Sequence, residues 1–576
     1  MAQLQAISVI IVHLLFLRMP ATTLPYLRIM KLKWSFFFLF TCAQLFALGQ
    51  LTSQQAKYTH EDTLRGSITP ERKWWNLEHY RLQVEVFPTT RKISGVNTIR
   101  YEVLQPQERM QIDLQRPMNI DSVFQGGKKI AFERIAPNAY LLTIPGKQLK
   151  GEHREVEIYY SGSPKIAKNP PWDGGFTWKT VGGSPFIATS CQGLGASVWW
   201  PCKDHMYDEP DSMRIEVTVP KPLLDISNGR LEKVVDKGDS QTFHWVVRNP
   251  INNYGVNINI AEYVHFDDVY MGEKGPLSLD YYVLPENLQK AELQFSQVKD
   301  MLRAFEYWFG PYPFYEDGYK LVEVPYLGME HQSSVTYGNK YNNGYLGTDL
   351  SGSGWGLKWD YIIIHESGHE WFANNITYQD IADMWVHESF TTYSEALFIE
   401  YYYGKNASEA YIVGQRKHIG NHSPIIGKYN VNEEGSGDMY YKGSSMLHTI
   451  RNMVDNDSLW RQFFRDINKD FYHQTVTGAQ VEQYMINTFQ LPLGPIFDQY
   501  LRSSNVPILE CKINGKKLEY RITNAVPNLT IPITLKTDRE QFKVKATSEW
   551  QTLIIKKTKK DKVEIGKESL VGFKMY

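Results

Sequence analysis

His365 and His369 stand four residues apart with Glu366 beside the first of them, and Glu388 follows after eighteen intervening residues. Positions i and i+4 share one face of a helix, so both imidazoles can reach a single ion. Two neutral imidazoles and one carboxylate leave a divalent ion with net positive charge and an open fourth position. That is the donor set of a hydrolytic zinc rather than a structural one. Glu366 is then free to serve as a general base on water. Glu395, seven residues beyond Glu388, shares its helix face and is placed to accept a hydrogen bond from the second nitrogen of a ligand imidazole. The bland alternatives are a pair of core histidines beside a solvent-facing Glu366, and a surface acid at 395.

Two elements must position this set. Three isoleucines at 362–364 precede the histidines, Trp371 and Phe372 follow, and only Gly368 interrupts the run from 357 to 375, which predicts a buried helix there. Aromatic and aliphatic residues with scattered acids predict a second helix over 384–402, ended by Gly404. His387 points to a different face of that helix from Glu388 and is not counted as a ligand.

The surrounding chain changes character three times. Period-two segments such as 82–86 and 214–219, separated by Gly, Pro and Asn turns, make about 73–263 predominantly β. A helical period governs about 282–501, and the tail from 506 returns to strands, with Asn514-Gly515 as a hairpin turn. The expected organisation is a leader over 1–49, an N-terminal β-domain over 50–270, a zinc-site domain over 271–503 and a small β-domain over 504–576. The basic stretch 556–562 reads as a solvated strand end.

With 576 residues, 42% of them hydrophobic, the chain can bury several cores. Its 62 Lys plus Arg nearly cancel 63 Asp plus Glu, so nothing in the overall balance argues for a nucleic-acid partner or an acidic membrane face. Cys42, Cys191, Cys202 and Cys511 are too few and too scattered for a thiolate cluster and read mainly as free thiols, with a 191–202 disulfide left open. Near the start, Met30-Lys-Leu-Lys opens a basic segment, 34–46 is apolar, and Ala47-Leu48-Gly49 offers small residues for cleavage. This is the pattern of a secretory signal beginning at Met30, which predicts export to the periplasm, cell surface or medium, with no stable membrane span in the mature chain.

The zinc set with its spacer, preceded by Gly328-Met329-Glu330-His331 and followed by Tyr440-Tyr441-Lys442-Gly443, resembles the gluzincin aminopeptidases, the family of aminopeptidase N and leukotriene hydrolase. The resemblance runs from about Trp75 to the C-terminus. It implies a multidomain α+β fold: an N-terminal β-domain, a thermolysin-like, mostly helical catalytic domain and a small β-sandwich-like domain, without the large C-terminal helical domain many members add. It further implies one zinc ion per chain held by His365, His369 and Glu388, Glu366 as general base, and Tyr440 donating to the oxyanion. Peptides with a free N-terminus become the expected substrates. Gly328, Met329 and Glu330 match the family's amine-binding motif, and Gln192, nine residues before Pro201-Cys202, matches its upstream partner. Acceptors of this kind bind an ammonium through charge-assisted hydrogen bonds.

Two positions depart from the pattern. Leu327 stands where the motif begins with Gly, and His331 replaces Asn, which would let a histidine titrate near the amine site or simply supply an equivalent hydrogen bond. The leading expectation is an exported aminopeptidase. An endopeptidase or epoxide hydrolase on the same scaffold, or a catalytically silent binding protein, are the alternatives.

Overall fold

A computed structural model describes residues 58–556 and 562–576. The expected signal sequence and Cys42 lie outside the described residues, as does most of the basic stretch 556–562. Residues His60–Tyr576 form one compact unit, with an N-terminal β-rich domain, a helical domain and a C-terminal β-sheet region.

The N-terminal part is built on an eight-stranded sheet whose centre is the antiparallel pair Trp75–Phe87 and Lys92–Val103. Leu82, Val84 and Val86 alternate inward with polar neighbours, as a sheet with one solvated face requires. Ser212–Pro220 runs parallel to the first of these strands. A second, four-stranded sheet contains Ser184–Ser190, whose chain continues directly into Cys191 and Gln192.

The stretch with helical period contains more β-structure than its periodicity predicts. Tyr319–Glu323, Gly328–Met329 and Val335–Tyr337 complete a five-stranded sheet with Val264–Gly272 and Gly275–Val283. Tyr319–Glu323 is buried along its whole length, so no alternation marks it as a strand. A side chain at Gly328 would bring its Cβ within 2.6 Å of Ile362 Cγ2, and this close approach seats the edge strand against the histidine helix.

That helix is shorter than expected. It spans Tyr361–Gly368, not 357–375. Asp360 starts it by accepting hydrogen bonds from the Ile362 and Ile363 amides. Beyond His369 the chain opens into a wide turn, Glu370–Asn374, in which Phe372 and Ala373 leave helical dihedrals and the Asn374 amide reaches back five residues to the His369 carbonyl. The second helix is Trp385–Tyr403, ended by Gly404 at φ 84°.

Two small sheets form the C-terminal region. The Asn514-Gly515 turn joins Ile508–Asn514 to Lys517–Thr523, with Gly515 at φ 63°. Leu509, Leu518 and Ile522 on one sheet are buried in the same core as Ile531, Ile533 and Leu535 on the other. At about 1.5–3 kcal/mol for each fully buried aliphatic side chain, this shared core welds the region to the helices. Cys191, Cys202 and Cys511 are buried free thiols, and no 191–202 disulfide forms.

Candidate active site

His365 and His369 project from the end of the short helix with ring centroids 5.0 Å apart and planes at 84°. Both Nε2 atoms converge on Glu388 Oε2, at 3.8 Å from His365 and 3.5 Å from His369. Polar atoms of His365, Glu366 and His369 fall within 4.8 Å of one another, and so do those of Glu330, His369 and Glu388. All five residues are buried.

The far side of each imidazole is fixed. His365 Nδ1 lies 2.7 Å from Glu395 Oε1, while Glu395 Oε2 accepts from Tyr411 Oη at 2.7 Å and Gln415 Nε2 at 2.9 Å. His369 Nδ1 lies 3.1 Å from the Phe372 carbonyl and 3.0 Å from Thr391 Oγ1. The wide turn after His369 thus has a use, since it leaves the Phe372 carbonyl free for that contact. With acceptors at Nδ1, each ring carries its proton there and turns the Nε2 lone pair toward Glu388.

This cluster fits a zinc ion. Glu388 Oε2 is buried without a hydrogen-bond partner, between two imidazole lone pairs. Burial alone would keep His365 neutral, yet Glu388 and Glu395 push its pKa well above the usual histidine value. Burial and the nearby carboxylates of Glu330, Glu388 and Glu395 push Glu366 upward, against the attraction of His365. A pocket this rich in buried carboxylates calls for a cation, and two histidines with one carboxylate are one of the donor sets of catalytic zinc. His365, His369 and Glu388 would hold it, with Glu366 beside it.

Tyr440 enters from a third helix, Asp438–Val454, with its ring 6.3 Å from that of His365 and nearly parallel to it. Gly443 permits this approach, because a Cβ there would lie 1.9 Å from Ser389 Oγ on the Glu388 helix. Ser389 Oγ in turn donates to the Met439 carbonyl at 2.7 Å. Burial, then Glu388, Glu330 and Glu366, raise the Tyr440 hydroxyl pKa well above that of free tyrosine. It therefore stays protonated and can donate. Tyr441 turns elsewhere, against His418.

Across the site, Gln192 Nε2 donates to Glu330 Oε1 at 2.8 Å and to Glu388 Oε1 at 3.1 Å. Tyr254 Oη also donates to Glu330 Oε1, at 3.1 Å, and Asn374 Nδ2 holds the Glu330 main-chain carbonyl at 2.9 Å. Burial raises the Glu330 pKa, with Glu388 adding to it and His369 opposing. Gly328 supplies close main-chain packing, whereas the Met329 side chain is buried in the core of the β-rich domain.

The two departures resolve differently. His331 is fully buried with Nδ1 3.3 Å from Thr336 Oγ1, and burial pushes its pKa down to about 3, so it does not titrate near neutral pH. Leu327 is half-buried, and its carbonyl accepts from the Gly338 amide at 2.7 Å. His387 accepts from the Tyr378 amide at 3.0 Å and is stacked on that ring, away from the imidazole pair.

Sequence reasoning missed Tyr254, Thr391, Tyr411, Gln415 and the Phe372 carbonyl. None lies in a recognisable motif, and each is brought in by folding.

The geometry agrees with comparison to known proteins. Residues 76–254 match the peptidase M1 N-terminal domain and residues 293–500 match the peptidase family M1 domain, together about two thirds of the chain. The chain belongs to peptidase family M1. Among its relatives are "Probable aminopeptidase 1" of Saccharolobus solfataricus, 21% identical over 72% of this chain and 52% of that protein, and "Leukotriene A-4 hydrolase" of Xenopus laevis, 21% identical over 73% of this chain and 69% of that one. The chain spans about half the length of the archaeal aminopeptidases it matches. In fold it is similar to an M1 zinc metallopeptidase mutant from Deinococcus radiodurans bound to a Tyr-Ser-Ala substrate, with a TM-score of 0.64 and 19% identity, over 76% of this chain and 96% of that one.

Proposed function

We propose that this M1 protein is a zinc-dependent aminopeptidase that removes the first residue from peptides with a free α-amino group. The observation that carries the reading is the Glu330 carboxylate, held by Gln192 and Tyr254 from the β-rich domain beside His369 and Glu388. An acceptor fixed so close to the candidate metal ligands would hold a free α-amino group beside the bond to be cut. Relatives named aminopeptidases and the peptide-bound neighbour support the same substrate class.

A bound zinc would supply Lewis-acid polarisation and an activated water. The chain's own residues do the rest. Glu330 and Gln192 bind and orient the ammonium. Glu366 takes the proton from the attacking water and delivers it to the departing amine. Tyr440 donates its protonated hydroxyl to the developing oxyanion. Glu395 and the Phe372 carbonyl lock the two imidazoles in the tautomer that leaves Nε2 available as a ligand. Export of the chain, on the sequence of residues 30–49, belongs to the same proposal.

The test is a panel of aminoacyl chromogenic substrates assayed with and without chelator. Hydrolysis that disappears with chelator and returns with zinc supports the reading. Hydrolysis indifferent to chelator refutes it.

A further inference from the structure

The near-neutral charge of the whole chain hides a separation of charge. Residues 506–576 hold fifteen Lys plus Arg against eight Asp plus Glu, while residues 58–505 hold forty-two against fifty-five. The small C-terminal region is thus strongly cationic on an otherwise acidic body.

Part of that charge lies on one sheet face, built by Gln551–Ile554, Lys517–Thr523, Ile508–Asn514 and Gly572–Met575 in spatial order. Leu518, Tyr520 and Ile522 turn into the core, which leaves Lys517, Glu519 and Arg521 on the opposite side. Strand pairing sets Ile554 beside Lys517, Lys512 beside Glu519 and Lys574 beside Glu510. The two acids are neutralised within the face, Glu510 by Arg521 and Glu519 by Lys512. Lys517 and Lys574 are exposed, with Lys574 resting over the Tyr576 ring. Large apolar side chains stand among these cations. Trp550 lies between Lys512 Nζ at 4.2 Å and Arg521 Cζ at 4.6 Å from its ring centre, and Ile554 and Tyr576 are 67% and 62% exposed.

We propose that this face docks on an anionic lipid surface. Lysine and arginine attract acidic headgroups, while tryptophan, tyrosine and an exposed aliphatic side chain enter the interfacial layer. A four-stranded sheet face suits a surface better than a strand of polymer, and a largely exposed isoleucine has no use for a sugar or a phosphate chain. Because the rest of the chain carries a net negative charge, the same surface repels it and favours contact through this face.

The experiment is co-sedimentation of the compact unit His60–Tyr576 with phosphatidylcholine vesicles, with and without phosphatidylglycerol, beside a heparin-retention assay. Binding is expected only with phosphatidylglycerol, weakening as salt rises. The double variant Lys517→Glu/Lys574→Glu should lose about tenfold or more in vesicle affinity. Ile554→Ser should lose affinity without changing the salt dependence. Both should keep wild-type thermal stability. Absence of binding to anionic vesicles, or binding that both variants retain, overturns the proposal. So does retention on heparin, lost in the double variant, by a protein that ignores the vesicles.

Discussion

The amide of Gln192 donates to both Glu330 and Glu388, at 2.8 and 3.1 Å, and so ties the β-rich domain to the helix that carries the third candidate metal ligand. In the proposed enzyme, substrate recognition and metal binding share a wall. Gln192→Ala and Glu330→Ala should therefore raise KM for free-amine substrates far more than for any substrate lacking the amine. A loss of a charge-assisted contact is worth about 1.5–3 kcal/mol, or roughly ten- to a hundredfold. Steady-state kinetics on both substrate types checks this. Equal losses on the two would contradict it.

Glu366→Gln removes the proposed base while keeping the side chain's size. Turnover should fall about 10²- to 10⁴-fold, with zinc content unchanged by elemental analysis. Tyr440→Phe should also lower kcat, by about 10²- to 10³-fold, with little effect on KM, because the hydroxyl is needed as charge develops on the oxyanion. If either variant loses its metal instead, its assigned role is wrong.

Glu395→Ala leaves His365 Nδ1 without its carboxylate partner. Metal affinity should weaken about 10- to 100-fold, read by competition with a zinc chelator. Unchanged affinity would return Glu395 to the role of a buried structural acid.

These residues also mark the limits of the sequence. The pair His365 and His369 was legible because helical geometry relates their spacing to direction; Glu366 and Glu388 were read from their place in the motif, Glu388 standing on a separate helix, and Glu395 from the face it shares with Glu388. The break after His369 was not legible: no Pro or Gly stands in residues 370–375 to announce the non-helical dihedrals at Phe372 and Ala373, and the turn is held by tertiary packing. Tyr254 was equally silent, since its link to Glu330 crosses 76 positions and depends on how two domains meet. The Tyr-Lys-Gly run at 441–443 gained its reason only from the collision a Cβ at Gly443 would make with Ser389.

That collision is itself testable. Gly443→Ala should destabilise the protein by about 1–3 kcal/mol, and adding Ser389→Gly should recover part of the loss. Thermal unfolding of both variants measures it. No destabilisation in the single variant would mean that the two helices part easily.

His331 offers a pH test away from catalysis. Burial holds its pKa near about 3 in the folded chain, whereas the unfolded chain takes up the proton near 6.5. The unfolded state therefore binds more protons between those values, and this residue's contribution to stability is lost as pH falls below about 6.5. The Tm difference between wild type and His331→Asn should shift toward the variant on going from neutral to mildly acidic pH, with the pH profile of activity unmoved. A displaced activity profile would show that His331 titrates near the amine site.

The central claim is that the protein cuts at the first residue because it recognises the free amine. One peptide, offered free and N-acetylated to the zinc-loaded protein and followed by mass spectrometry, tests it directly. The expected result is stepwise loss of single N-terminal residues from the free peptide and almost none from the acetylated one. Internal cleavage, or equal rates on both peptides, would contradict the account.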